Sequence, residues 1–176
     1  DSDIAYSFRK SPLAIVSGVV ALTIVLAAVF APLIAPTNPY DPSGLNLMDG
    51  FSRPMQENAF TGNTFLLGAD NQGRDVLSTI LYGARISLFV GFSAVLFAMI
   101  LGITAGLLAG YRGGWVDALL MRIADVQLSF PSILIALLIF GVARGFIPPS
   151  QRETMAIWVL IVAIGLSDWV QFARVV

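Results

Sequence analysis

The chain has 176 residues, of which 57% are hydrophobic and 12% charged, and its formal net charge is −1. Soluble domains carry roughly 25% charged residues, so this composition indicates a membrane protein. The small net charge provides no basic surface for nucleic acid, which argues against such a partner. The absence of cysteine and histidine excludes disulfides, His or Cys zinc sites and nucleophiles activated by histidine. We therefore predict no catalytic and no metal-binding residue.

Nucleotide hydrolysis within the chain is also not expected. Lys10 is the only lysine, and it lies in Arg9-Lys10-Ser11-Pro12 with no glycine-rich stretch before it. A P-loop needs such a stretch followed by Lys and Ser or Thr to hold the phosphates. We predict that the protein is not an enzyme, and that any nucleotide driving it is hydrolysed by another chain.

The first charge-free interval runs from Ser11 to Tyr40, with its apolar body between Leu13 and Ala35. A helix of about 20 apolar residues crosses a bilayer core. The alternative is a signal peptide, whose apolar region is about 7 to 15 residues long. We predict an uncleaved transmembrane helix in a first segment, residues 1–35, that also contains the N-terminal tail.

Residues 36–81 are predicted to form an extracytoplasmic loop, because the prolines between Pro36 and Pro42 cannot continue a helix. The loop ends in a pattern that predicts a short amphipathic helix at the membrane interface, with Ser78 and Thr79 opposite the apolar residues. These apolar residues are Val76, Leu77, Ile80 and Leu81. A calcium loop is an alternative, but the EF-hand spacing and its closing Glu are missing.

The second predicted span, Ile86 to Tyr111, carries small residues at steps of three or four, which place them on one helix face. They are Gly83, Ser87, Gly91, Ala94, Ala98, Gly102, Gly106 and Gly110. Helices in lipid associate by close van der Waals approach, which small residues permit. We predict that Gly91, Gly102, Gly106 and Gly110 pack against another helix. The alternative is that Gly and Ala are simply frequent in membrane helices.

The third predicted helix starts at Trp115 and carries a polar stripe. The stripe consists of Arg122, Asp125, Ser129 and Ser132, at steps of three, four and three. Such residues either line or gate a translocation pathway, or anchor the helix at the headgroups. Arg122 and Asp125 are also spaced to form an ion pair along the helix. Pro131 removes one backbone hydrogen bond and predicts a kink.

A fourth span is predicted from about Thr154 to Ala173. Asp168 within it is either a deep functional carboxylate or an interfacial residue beside the anchoring Trp169. If the N-terminus is inside, the inner and outer segments carry equal numbers of basic residues. The inner ones are denser and flank the first span, so we predict a cytoplasmic N-terminus.

Four motifs in order give the chain a resemblance to a known family. They are Leu67-Gly68-Ala69-Asp70-Asn71-Gln72-Gly73-Arg74-Asp75, Leu81-Tyr82-Gly83-Ala84-Arg85-Ile86-Ser87-Leu88, Ala109-Gly110-Tyr111-Arg112-Gly113-Gly114-Trp115-Val116-Asp117, and Met121-Arg122-Ile123-Ala124-Asp125 with Phe130-Pro131. Nearly the whole chain resembles the C-type permease subunit of dipeptide and oligopeptide ABC importers. Gly73, Arg74 and Asp75 belong to the first motif.

The resemblance implies a bacterial inner-membrane protein that forms half of a translocation pathway for peptides or similar small solutes. Its implied partners are a second homologous permease, two cytoplasmic ATPases that bind ATP and Mg, an extracytoplasmic substrate-binding protein and membrane lipid. No cofactor is implied for this chain itself.

Family members have six spans, and a cytoplasmic coupling loop with a Glu-Ala-Ala signature follows the fourth. The expected fold is therefore an all-α polytopic membrane protein with four transmembrane helices in this chain. Residues 82–176 are expected to form the first part of the permease core, truncated before the coupling loop. One alternative is a stand-alone secondary transporter or channel in which Asp125 or Asp168 binds a proton or ion, although no internal repeat is found. Another is a membrane scaffold without transport.

Overall fold

The structure is a computed structural model that describes residues 10–148 and 151–176, with the backbone alone at positions 132 and 152–154. Its helices are α1 (Pro12–Val29), α2 (Ala31–Ile34), α3 (Val76–Arg112), α4 (Gly114–Leu128), α5 (Ser132–Phe146) and α6 (Arg152–Ala173). Two short 3-10 turns lie in the loop before α3. The described residues form two isolated β-bridges and no strand, which confirms the all-α prediction.

Three described helices are long and apolar enough to cross a membrane: α1, α3 and the part of α6 from Met155 to Ala173. Helices α4 and α5 make a fourth span if they are taken together, and their axes are 93° apart. The prediction of a polytopic membrane protein is therefore confirmed, with three candidate spans, or four if the bent pair is counted as one.

The chain divides into two compact units, one up to Leu88 and one from Phe89 onward. In the first unit, α1 begins where the Ser11 side chain accepts a hydrogen bond from the Ala14 amide at 3.3 Å and Pro12 occupies the first turn. The Ser17 and Thr23 hydroxyls donate to carbonyls one turn back, which satisfies these polar groups within the helix.

The predicted interfacial helix is not a separate element, because α3 runs without a break for 37 residues from Val76 to Arg112. At 1.5 Å per residue it is about 55 Å long, well beyond a bilayer core of about 30 Å. Ser78, which was predicted to lie opposite the apolar face of that helix, is buried and hydrogen-bonded inside the first unit. The amphipathic pattern therefore marks the first turns of a long helix.

In the second unit α3 and α6 pack side by side and run in the same direction. The contacts advance together along both helices: Val90 with Ile161, Ala94 with Gly165, Gly102 with Trp169, and Gly106 with Ala173. Two parallel helices require the chain between them to return along their length. Helices α4 and α5, with 15 residues each, are the segment that makes this return. The parallel packing therefore favours the bent pair as one crossing.

The interruption at Pro131 is larger than the predicted kink. Helix α4 ends at Leu128, and Pro131 has extended backbone angles (φ −56°, ψ 131°) just before α5. Proline cannot donate a backbone hydrogen bond and disfavours helical geometry at the preceding residue. The Phe130 amide donates to the Gln127 carbonyl at 3.1 Å, and the Leu134 amide donates to the Pro131 carbonyl at 2.9 Å. One helix therefore closes and a new one opens around the proline.

Candidate functional site

A close backbone contact in the second unit joins Gly102 and Gly106 of α3 to the end of α6. A Cβ atom on Gly102 would lie 2.6 Å from the Phe172 Cβ and would also overlap the Trp169 carbonyl oxygen. A Cβ atom on Gly106 would lie 2.6 Å from the carbonyl oxygen of Ala173. These two positions therefore place one helix backbone directly on another.

The rest of the glycine ladder does not take part in this contact. A Cβ atom on Gly91 or Gly110 would meet no heavy atom of the described chain within 4 Å. By contrast, Gly165 on α6 is buried, and a side chain there would overlap the Phe97 ring and approach the Ala94 carbonyl oxygen at 3.2 Å. Sequence reasoning missed Gly165, because an isolated glycine in α6 has no periodic pattern to mark it.

A partly buried polar contact joins α4 to the same part of α6. The indole N–H of Trp169 donates to Oε1 of Gln127 at 2.7 Å, and the Gln127 amide nitrogen donates to the carbonyl oxygen of Leu166. Trp169 is only 6% exposed and belongs to a core cluster with Ala124 and Val170. Gln127 was not among the sequence-predicted residues, because the predicted stripe consisted of charged and hydroxyl side chains.

Asp125, one of the predicted pathway residues, pairs with Arg174 just after α6. The predicted pair between Asp125 and Arg122 is therefore replaced by a pair between helices. The side chains of Arg174 and Asp125 are 45% and 59% exposed, so water screens this ion pair and its contribution to stability is small. Arg122 is exposed on α4.

The other predicted site residues lie near this region without joining it. The Ser129 hydroxyl donates to the Asp125 carbonyl at 3.0 Å, which completes the last turn of α4. Ser132 opens α5, and its side chain lies outside the described residues. Asp168 is half-buried on α6. The pathway, packing and gating roles of these residues and of Pro131 stay predictions.

In the first unit, the motif residues Gly73, Arg74 and Asp75 have separate structural tasks. Gly73 has φ +76°, and a Cβ atom there would lie 2.9 Å from the Asn46 carbonyl carbon. Nε and Nη2 of Arg74 each lie 2.7 Å from Oδ2 of Asp70. Together these contacts hold the turn before α3 against the rest of the loop.

Asp75 caps the N-terminus of α3. It is 1% exposed, and its Oδ2 accepts hydrogen bonds from the Ser78 amide at 2.9 Å and the Ser78 hydroxyl at 2.5 Å. The Ser78 Oγ in turn accepts a hydrogen bond from the Thr37 amide at 3.1 Å. This chain of hydrogen bonds ties the start of the loop to the start of α3.

Two further carboxylates organise the loop. Burial disfavours the ionised form of Asp49, but hydrogen bonds from the Thr61 side chain and the Phe60 and Thr61 amides outweigh it and lower the pKa of Asp49. For Asp70, partial burial is likewise outweighed by hydrogen bonds from the Arg74 and Gln72 amides and by the Arg74 guanidinium, which lower its pKa. Both groups therefore act as ionised acceptors that hold the backbone of the loop.

The geometry defines a polytopic helical membrane protein with a structured loop before its second span. Two models of known protein families match parts of its sequence. The model of the N-terminal TM domain of oligopeptide transport permease C matches residues 2–54. The model of the binding-protein-dependent transport system inner membrane component matches residues 102–176.

Individual relatives agree with the family models. The chain is 40% identical to the dipeptide transport system permease protein DppC of Alkalihalophilus pseudofirmus over 156 residues. The matched stretch covers 89% of this chain and 47% of that protein. It is 32% identical over 174 residues to the oligopeptide transport system permease protein OppC of Bacillus subtilis, which covers 99% of this chain and 50% of the relative. For the glutathione transport system permease protein GsiD of Pectobacterium atrosepticum, identity is 37% over 77% of this chain and 42% of the relative.

The chain therefore belongs to the family of C-type permease subunits of dipeptide and oligopeptide transport systems, inner-membrane components of binding-protein-dependent transport. The resemblance found in the sequence motifs is confirmed. The chain spans about half the length of these relatives, 47% and 50% for the first two.

Proposed function

We propose that this chain is part of a permease subunit of an ABC importer for short peptides or similar small solutes. The observation that carries the proposal is the similarity to the oligopeptide permease of Bacillus subtilis, which extends over 99% of this chain. The relatives are named for dipeptide, oligopeptide and glutathione transport, and we therefore propose peptides as the substrate class. The subunit forms half of the translocation pathway.

The orientation that we propose has the N-terminus in the cytoplasm and the loop before α3 outside. Helices α3 and α6 are parallel, so they end on the same side of the membrane. Arg112 and Arg174 lie at those two ends. Basic residues favour the cytoplasmic side of a membrane, which supports this orientation.

The proposed partners are a second homologous permease, two cytoplasmic ATPases and an extracytoplasmic binding protein that delivers the substrate. ATP and Mg are held by the ATPases and not by this chain. The family description, a component of binding-protein-dependent transport, supports an assembly of several subunits. The sequence supports ATP hydrolysis by separate subunits, because the only lysine of this chain is not in a P-loop.

A stand-alone secondary transporter is the less favoured function. It needs a carboxylate that is free to bind a coupling proton or ion, and one of the two candidates, Asp125, is engaged by the guanidinium of Arg174. A paired carboxylate in contact with water is better suited to joining two helices than to carrying an ion.

The test is uptake in cells. The full-length protein is produced with its partner subunits in bacteria that lack their own peptide permeases, and uptake of a radiolabelled dipeptide is measured. We expect uptake that disappears when either the permease or the ATPases are omitted, and that excess unlabelled tripeptide inhibits. Uptake of inorganic ions or sugars with no peptide uptake would contradict the substrate class.

A further inference from the structure

Gln127 lies at the most irregular point of the second unit, one residue before α4 ends. The chain then passes through Ser129 and Pro131 and turns by 93° into α5. The Ser129 and Phe130 amides close the last turn of α4, but hydrogen bonds within a helix do not fix where its end lies relative to a neighbouring helix. The position of this end must therefore be set by contacts with a neighbouring helix.

The side chain of Gln127 makes those contacts with both halves of its amide. Oε1 accepts the indole N–H of Trp169 at 2.7 Å, and Nε2 donates to the Leu166 carbonyl, with the Ser167 carbonyl 3.4 Å away. Any slide of α4 along α6 would break both hydrogen bonds at once. Polar groups left without partners in this partly buried contact would cost free energy.

The same segment of α6 also holds the other neighbours of the unit. Trp169 packs in one cluster with Ala124 of α4 and with Leu101 and Ala105 of α3. Arg174, which directly follows α6, pairs with Asp125. Residues 166–174 are therefore the place where the end of α4 is fixed, and we name them the α6 end segment.

We propose that Gln127 is a positioning residue that binds the broken end of α4 to the α6 end segment, so that the two move as one body during transport. When α6 is displaced, the break at Pro131 follows it, and α5 changes its direction relative to α4. This inference rests on the proposed function, because it describes how ATP-driven movement reaches the translocation pathway.

The decisive experiment uses a cross-link, because the chain contains no cysteine. Asp125→Cys and Arg174→Cys are introduced together into the full-length protein, with any thiol elsewhere replaced by serine, and joined by a short bismaleimide after reconstitution with the partner subunits. ATP-driven peptide uptake is compared before and after cross-linking in the same preparation. If α4 and the α6 end segment move together, uptake is retained. Arrest of uptake, with ATP hydrolysis continuing, would overturn the proposal.

A second set of variants tests Gln127 itself. Gln127→Met keeps the length of the side chain and removes both hydrogen bonds, and Gln171→Met is the matched control, because Gln171 is exposed on α6. We expect peptide taken up per ATP hydrolysed to fall by about tenfold in Gln127→Met, as the loss of partly buried hydrogen bonds implies, and to stay unchanged in Gln171→Met.

The combination of both changes separates positioning from simple damage to the fold. Cross-linking Asp125→Cys to Arg174→Cys in the Gln127→Met background should restore coupling, because the covalent bridge replaces the lost hydrogen bonds. An unchanged ratio of uptake to hydrolysis in Gln127→Met, or a loss that the cross-link does not relieve, would refute the positioning role. If the unmodified complex takes up peptide without ATP, the proposed function fails instead, so the two failures are distinguishable.

Discussion

The carbonyl oxygen of Ala173 lies where a side chain on Gly106 would begin, 2.6 Å from the position of a Cβ atom. The Cα of Ala173 would be 3.2 Å from the same atom. Two helix backbones in such contact gain dispersion along their whole length and leave no space for a larger residue. This relationship joins the middle span of the chain to its last helix, and it makes the packing directly testable.

Gly106→Leu should separate α3 from α6. Leucine is favourable in lipid, so insertion into the membrane should not change. Overpacking should destabilise the protein by about 1–3 kcal/mol. The measurement is the thermal midpoint of aggregation in detergent. Gly110→Leu, at a position with no described neighbour within 4 Å, is the control. Equal midpoints for the two variants would show that the contact at Gly106 does not exist.

Sequence patterns predicted the packing residues of α3 but not those of the helices that face it. The ladder in α3 was visible because Gly102 and Gly106 repeat at helical spacing, and small residues at that spacing have one common use in lipid. Gly165 and Gln127 stand alone in their helices, so no period distinguishes them. Their importance depends on the residues that face them on the neighbouring helix. One sequence does not show which residues these are.

The loop before α3 should depend on the glycine of its motif. Gly73→Ala places a side chain at φ +76° against the Asn46 backbone, and the left-handed conformation alone costs about 1–2 kcal/mol. We expect faster cleavage of the loop by added protease in membrane vesicles. Gly44→Ala serves as the control, because a Cβ atom there meets nothing within 4 Å. Identical cleavage rates would contradict the proposed loop structure.

The stability of the loop should fall in acid. The folded pKa of Asp49 lies below its ordinary value of 3.8, so the ionised form stabilises the fold. This contribution is fully present above pH 3.8 and is lost as the pH falls through the lower folded pKa. Thermal unfolding midpoints measured from pH 6 down to about pH 2 should therefore drop at the acid end. Asp49→Asn should flatten this part of the curve, whereas parallel curves would exclude Asp49 as the cause.

Two serines should respond differently to the same substitution. Ser167 Oγ is buried and has no hydrogen-bond partner among the described residues, so Ser167→Ala should leave stability unchanged or raise it by about 1 kcal/mol. Ser78 bonds both Asp75 and Thr37, so Ser78→Ala should cost about 1–3 kcal/mol. Thermal midpoints of the purified variants decide this. A loss of stability in Ser167→Ala would mean that its hydroxyl has a partner in the assembled protein.

The interruption at Pro131 shows the limit of predicting helix geometry from the local sequence alone. Pro131 correctly marks an irregularity, because proline lacks a backbone donor and in a continuous helix would clash with the carbonyl of Gln127. Whether the result is a kink or a new helix depends on what holds the two ends. Here Gln127 and Asp125 attach the end of α4 to α6, and α5 continues in another direction. The amphipathic start of α3 was mistaken for a separate helix for a similar reason, because Ser78 serves a tertiary contact.

Transport by the reconstituted complex tests the central claim most directly. The full-length permease pair is placed in liposomes with and without the ATPases, and peptide uptake is measured with ATP, with a proton gradient and with a sodium gradient. An importer driven by its partners takes up peptide only when ATPases and ATP are both present, and no ion gradient replaces them. Gradient-driven uptake by the permeases alone, abolished by Asp125→Asn, would contradict this account and favour a secondary transporter.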